Sequence, residues 1–151
     1  VWLCVHVESF ASYVRVYSTE ILVDLACLSI GHPVLFRKLV LVINIKCANN
    51  KFIAETVQLN VILIEDGIVS PQLTSSGIVP DYVHNHVLRA SFNGPYGKQL
   101  TENGLVENGK AYTRAYALNW NPEWKRENCS LVAILLNMNT KEVLQVEKID
   151  L

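Results

Sequence analysis

The sequence predicts an all-β domain, an antiparallel two-layer β-sandwich of about seven to nine short strands with little helix. Three observations carry that prediction. Apolar residues recur with period two, not at the three- and four-residue spacing of a helical face. The alternating segments are rich in β-branched residues, which suit a pleated surface. Turn residues punctuate them, with no capped amphipathic helix in between.

The elements follow in order. Val1–Glu8 reads as a strand and Ser12–Ile30 as one or two more, ending at Gly31-His32-Pro33. Lys38–Cys47 places Leu39, Leu41, Ile43, Ile45 and Cys47 on one face, and Val57–Glu65 does the same with Val57, Leu59, Val61 and Leu63. These two are expected to pair as a hairpin across Ala48–Thr56. Tyr82–Phe92 and Ala111–Trp120 alternate as well, the latter with Tyr112, Arg114, Tyr116, Leu118 and Trp120 on one side. Ser130–Met138 and Glu142–Ile149 form a C-terminal hairpin whose connecting asparagines tolerate tight-turn backbone angles. The nearest architectural template is the immunoglobulin-like sandwich. Its core is expected to include Leu41, Ile43, Leu59, Val61, Leu63, Val132, Ile134 and Leu144. Two connections, Asp66–Pro80 and Asn93–Lys110, are longer than such a fold needs, and long loops on a rigid β scaffold are where function sits.

Composition narrows the function. The 151 residues fit one domain spanning the whole chain, half hydrophobic and 18% charged. Thirteen basic and fourteen acidic residues give a net charge of −1, which leaves no footprint for nucleic acid. Mean hydropathy is positive, yet no apolar run approaches the roughly 20 residues of a transmembrane helix. The chain opens on Val1 with no basic segment or cleavage site, so it is expected to be part of a longer gene product, and this says nothing about export. Cys4, Cys27, Cys47 and Cys129 form no CxxC pair, which removes a redox motif or zinc knuckle. They read as buried thiols, with one disulfide left open.

Catalytic signatures are absent: no nucleophile elbow, zincin helix, phosphate loop or EF-hand spacing. His84 and His86, two apart on a regular strand, would share a face as neighbouring metal ligands do. No third donor lies close by, Asp81 falls on the other face, and only the distant His6 and His32 could complete a site. A structural role is therefore expected, with hydrogen bonds to backbone or Tyr82, and neither metal nor cofactor. Glu65-Asp66-Gly67 reads as a strand end and turn before it reads as an acid–base pair. Trp120 and Trp124 around Asn121-Pro122-Glu123, with Tyr96 on the Asn93–Lys110 connection, are the candidate binding aromatics. The alternative for the tryptophans is a plug at one end of the sandwich.

Several of these residues carry a resemblance. Val61–Val69, Gln72, the run Asp81-Tyr82-Val83-His84-Asn85-His86-Val87-Leu88-Arg89-Ala90, then Gly94 and Gly97, resemble the C-terminal domain of the twenty-eight-kilodalton outer membrane protein family of Bacteroidetes. The ending is similar too: Trp120–Trp124, Asn128, Leu131-Val132-Ala133 and Lys141–Val146. The likeness spans about residues 55–151, and Asp81, Tyr82, His84, Asn85, His86 and Arg89 form its most specific motif. It implies an outer-membrane or surface lipoprotein, lipid-anchored in full length, in which a thioredoxin-like domain precedes this one. The function so implied is non-enzymatic binding or adhesion toward an unknown protein or glycan. A structural accessory to the thioredoxin-like domain is the alternative, and a metal-dependent enzyme comes third.

Overall fold

The two most strongly alternating segments become facing layers of a sandwich. In the computed structural model residues 12–17, 21–30, 38–47, 56–102 and 105–151 are described, with backbone alone for 12–17, 21–30 and Cys47. The expected strand Val1–Glu8, with Cys4, His6, His32 and the Asn103-Gly104 turn, lies outside them.

The first sheet contains β1 (Ser12–Tyr17), β2 (Ile21–Ile30), β3 (Lys38–Cys47) and β9 (Ala111–Asn119), in the order β1-β2-β3-β9. The second has the order β11-β10-β4-β7, from β4 (Val57–Glu65), β7 (Val87–Ser91), β10 (Cys129–Asn137) and β11 (Val143–Asp150), with β8 (Lys98–Gln99) also paired to β4. All pairings are antiparallel. These nine strands make the predicted sandwich. It is immunoglobulin-like in its two face-to-face antiparallel sheets, while β1, β2 and β3 run as a simple meander. The only helix among the described residues is one 3-10 turn at Arg126–Asn128.

The core forms where the apolar faces meet. Leu39, Leu41, Ile43 and Ile45 of β3 are fully buried against Val57, Leu59, Val61 and Leu63 of β4. Each such side chain contributes about 1.5–3 kcal/mol through removal from water. The expected β3–β4 hairpin is therefore corrected: β3 pairs β2 and β9, β4 pairs β10 and β7, and the two pack across the core. An alternating pattern says which face is buried and not which neighbour supplies the hydrogen bonds.

A second correction concerns β10. Its inward residues are Cys129, Leu131, Ala133 and Leu135, so Val132 and Ile134 lie on the outer face, one residue out of step with expectation. Both faces of this strand are apolar, so alternation could not choose between them. The register decides it by pairing Leu131 with Leu63 and Leu135 with Leu59. Leu144 is half-buried against the core.

Between β7 and β8 the ladder along β4 has a gap, and Asn93 fills it. Its side chain accepts the Val61 N–H at 3.1 Å and donates to the Leu59 carbonyl at 2.8 Å. One buried amide thus replaces a missing stretch of strand.

Candidate interaction surface

Asp66–Pro80 was expected to be a long loop. It is mostly β structure. β5 (Ile68–Thr74) and β6 (Gly77–His84) form a hairpin that pairs with neither sheet. Its tip is Ser75-Ser76, where the Thr74 hydroxyl donates to the Gly77 carbonyl at 2.8 Å.

The expected continuous strand Tyr82–Phe92 is also corrected. It breaks at Asn85-His86, where His86 takes a left-handed φ of 57° and β7 begins afresh. His84 and His86 therefore do not share a strand face. Asp66 Oδ1 accepts the His86 N–H at 2.5 Å, and Asn85 Oδ1 accepts the Gly67 N–H at 3.0 Å. These reciprocal bonds clamp the two chain crossings at the hairpin's root. Gly67, at φ 73°, supplies the backbone angle that a β-carbon would strain. Asp66 N–H donates to the Asn128 carbonyl at 2.9 Å, tying the root to the 3-10 turn. His84 Nε2 lies 3.2 Å from the Ser70 carbonyl, and its ring meets Tyr82 edge-on at 4.8 Å. Asp81 is exposed where β6 carries an extra residue opposite Pro71.

Arg89 works just inside the root. Its Nε donates to Oε2 of Glu65 at 2.7 Å, and the Lys125 N–H donates to Oε1 at 3.0 Å. Glu65 is only 2% exposed, so this pair holds a buried charge neutral. Both oxygens are occupied, and Asp66 is committed to His86, which leaves no free acid–base pair at Glu65-Asp66. A cleft of about 300 Å³ opens beside the pair, lined by Gly67, Val69, Glu123 and Lys125. The neighbouring Cys129 thiol is pushed up to about 11, chiefly by burial and next by the negative Glu65. No group of three His, Cys, Asp or Glu residues able to hold a metal gathers among the described residues.

The candidate aromatics do not form one site. Trp120 and Trp124 meet edge to face at 5.5 Å and 80°, half-buried against the core. The turn between them closes through Trp124 N–H to the Asn121 carbonyl. They lie near the Glu65 end of β4. Tyr96 is highly exposed at the other end, its carbonyl accepting from the Gln58 amide. Seven residues of strand, about 23 Å, separate these ends. The Asn93–Lys110 connection packs at Tyr96's end through buried Leu100 and Val106, so the tryptophans and this connection share no cleft.

What sequence reasoning missed is the hairpin's face. Residues paired in register share a side. One side carries Val69 opposite Val83 and Leu73 opposite Ile78, with Pro71 between them. Their exposures are 60%, 51%, 74% and 72%. The other side carries Ser70, Gln72 and Thr74 with Tyr82, His84 and Val79, and it is the more covered one. The ribbon turns its apolar side outward, the reverse of a strand that contributes to its own core. The signal was present in Ile68-Val69-Ser70-Pro71-Gln72-Leu73 and Ile78-Val79-Pro80, where Pro71 and Pro80 interrupt the strand pattern.

An antiparallel sandwich of nine strands carrying a projecting ribbon defines an all-β scaffold domain. The family model of outer membrane protein Omp28 matches residues 37–151, and the chain belongs to that family. Its place is accordingly the cell envelope, among outer-membrane proteins. A crystal structure of a domain of the outer membrane lipoprotein Omp28 from Porphyromonas gingivalis is similar at TM-score 0.57 and 21% identity, over 90% of this chain and 91% of that one. That likeness supports the fold. No curated protein matches.

Proposed function

We propose that this chain is a non-enzymatic interaction domain of a lipid-anchored outer-membrane protein, and that the β5–β6 ribbon is the element that meets a protein surface. The carrying observation is the outward apolar side of Val69, Leu73, Ile78 and Val83 on a root clamped by Asp66, Asn85 and Arg89. A preformed apolar element on a rigid support loses little freedom when it binds. A protein fits better than a glycan. Sugar stacking needs open aromatic faces, whereas Trp120 and Trp124 cover each other and pack against the core.

Photo-crosslinking in the bacterial envelope tests this reading. A photoreactive side chain at Leu73 or Ile78 of the full-length protein should give discrete protein adducts, and one at Glu142, in the far β10–β11 turn, should give none. The adduct could be another protein, a preceding domain of the same chain or a second copy. Absence of adducts from both ribbon positions overturns the proposal.

A further inference from the structure

Resting on that reading, we infer that the ribbon's occupant is a second copy of this chain, and that two copies exchange ribbons, each laying its own on the outer face of the other's β11-β10-β4-β7 sheet. Three observations lead there. The first is area. Seven residues of strand are about 23 Å long. A two-stranded ribbon of that length covers on the order of 400 Å², half of the roughly 800 Å² each partner gives to a stable interface. A ribbon given and a ribbon received bring each copy to that value.

The second observation is the receiving surface. The outer face of the second sheet is apolar where the register gathers Ile62, Val132, Ile134, Leu136 and Val146. Val146 is 49% exposed, and Ile62, Val132, Ile134 and Leu136 are partly open. Among the described residues the domain thus carries two apolar surfaces without a partner, one a ribbon and the other a patch, bordered by Gln58, Asn60 and Lys148, on which a ribbon can pack as a third layer. Charge does not oppose the pairing of identical copies, since Asp81 is the only Asp, Glu, Lys or Arg from Ile68 to His84.

The third is the mode of contact. Among the described residues neither ribbon strand has a second neighbour, and a free edge invites strand addition. Pro71 in β5 and Pro80 in β6 remove an amide from each strand, and β6 is also bulged there. Proline on an edge blunts strand addition. The contact is thus made through the side-chain face, which is the apolar one.

Sedimentation equilibrium of the 151-residue chain from about 1 to 200 µM tests the exchange. The parent should be dimeric in the upper range. Leu73→Asp/Ile78→Asp, which disables the ribbon, and Val146→Lys, which disables the receiving face, should each be monomeric at concentrations where the parent is dimeric. Both substitutions replace exposed side chains, and an unchanged circular dichroism melt of the dilute monomers verifies their fold. Mixed together, the two variants keep one intact ribbon-on-face contact out of two, so the mixture should associate more weakly than the parent and more strongly than either variant alone. A parent that stays monomeric at 200 µM overturns the inference, as does a dimer indifferent to the ribbon substitutions or to Val146→Lys. Those results leave the ribbon free for a different protein, which the envelope cross-linking detects separately.

Discussion

Replacing Arg89 with Met removes the guanidinium from a buried carboxylate. Glu65 is 2% exposed and receives two hydrogen bonds, one from Arg89 at 2.7 Å and one from the Lys125 N–H at 3.0 Å. Breaking a buried ion pair from one side costs about 3–5 kcal/mol, because the remaining charge is stranded. Two features reduce that figure here. The Lys125 amide remains, and the Arg89 side chain is itself 28% exposed. The expected loss is about 2–3 kcal/mol, which is a fall of about 5–10 °C in Tm for a domain of this size. Glu65→Gln keeps an acceptor for Lys125 and leaves a cation with access to solvent, so its cost is about 1–2 kcal/mol. The double variant should lose less than the sum of the two, with a coupling of about 1–2 kcal/mol. Urea unfolding at about 1 µM protein, where association does not contribute, measures all four corners of the cycle. An Arg89→Met variant within about 0.5 kcal/mol of the parent, with no coupling, would show an ordinary surface pair and refute the argument.

The β10 register predicts that Leu131→Ala costs about 2–5 kcal/mol and Ile134→Ala clearly less, and equal losses in denaturant melts would put the strand one residue out. Asn93→Leu should cost about 2–4 kcal/mol by stranding the Val61 N–H and the Leu59 carbonyl, and a parental melt would contradict that account of the gap in the ladder. At His86, with φ 57°, Gly should be neutral or stabilising and Val should cost about 1–3 kcal/mol, because the backbone N–H makes the hydrogen bond to Asp66 while the ring is 70% exposed and stays 4.0 Å from that carboxylate. The Cys129 thiol keeps its proton up to about 11 in the folded state, against an ordinary thiol value of 9.0. Its contribution is therefore full below pH 9 and is lost as pH rises through 11, so the stability gap between the parent and Cys129→Ala should narrow over that window. A pH-independent gap would show that the thiol titrates normally.

Much of the sandwich was legible because its inner strands alternate cleanly. Leu39–Ile45 and Val57–Leu63 each show one apolar face, and those faces meet in the core. The resemblance was traced from about residue 55, yet the family match begins at residue 37, so β3 belongs to it as well. Pairing was less legible, since nothing in Lys38–Cys47 or Val57–Glu65 states whether the two are neighbours in a sheet or opposite one another across the core. Facing was illegible in Ser130–Leu136, where both sides are apolar. The motif Asp81–Arg89 was recognised as specific, but its role depends on partners about twenty residues away, with Asp66 and Gly67 bonded to His86 and Asn85, and Glu65 to Arg89. The ribbon was hidden by its own prolines, which mark a loop in most contexts and an edge strand in this one.

Deleting the ribbon tests most directly the central claim, that the sandwich is a complete scaffold and the ribbon serves something outside it. A variant in which a single glycine replaces Ile68–His84 keeps Asp66-Gly67 and Asn85-His86 at the root. Its thermal melt at about 1 µM should be cooperative and within a few degrees of the parent, because Val69, Leu73, Ile78 and Val83 bury little in the core. Loss of the cooperative transition would contradict the account, since the ribbon would then be a working part of the fold and its exposed face would need no partner.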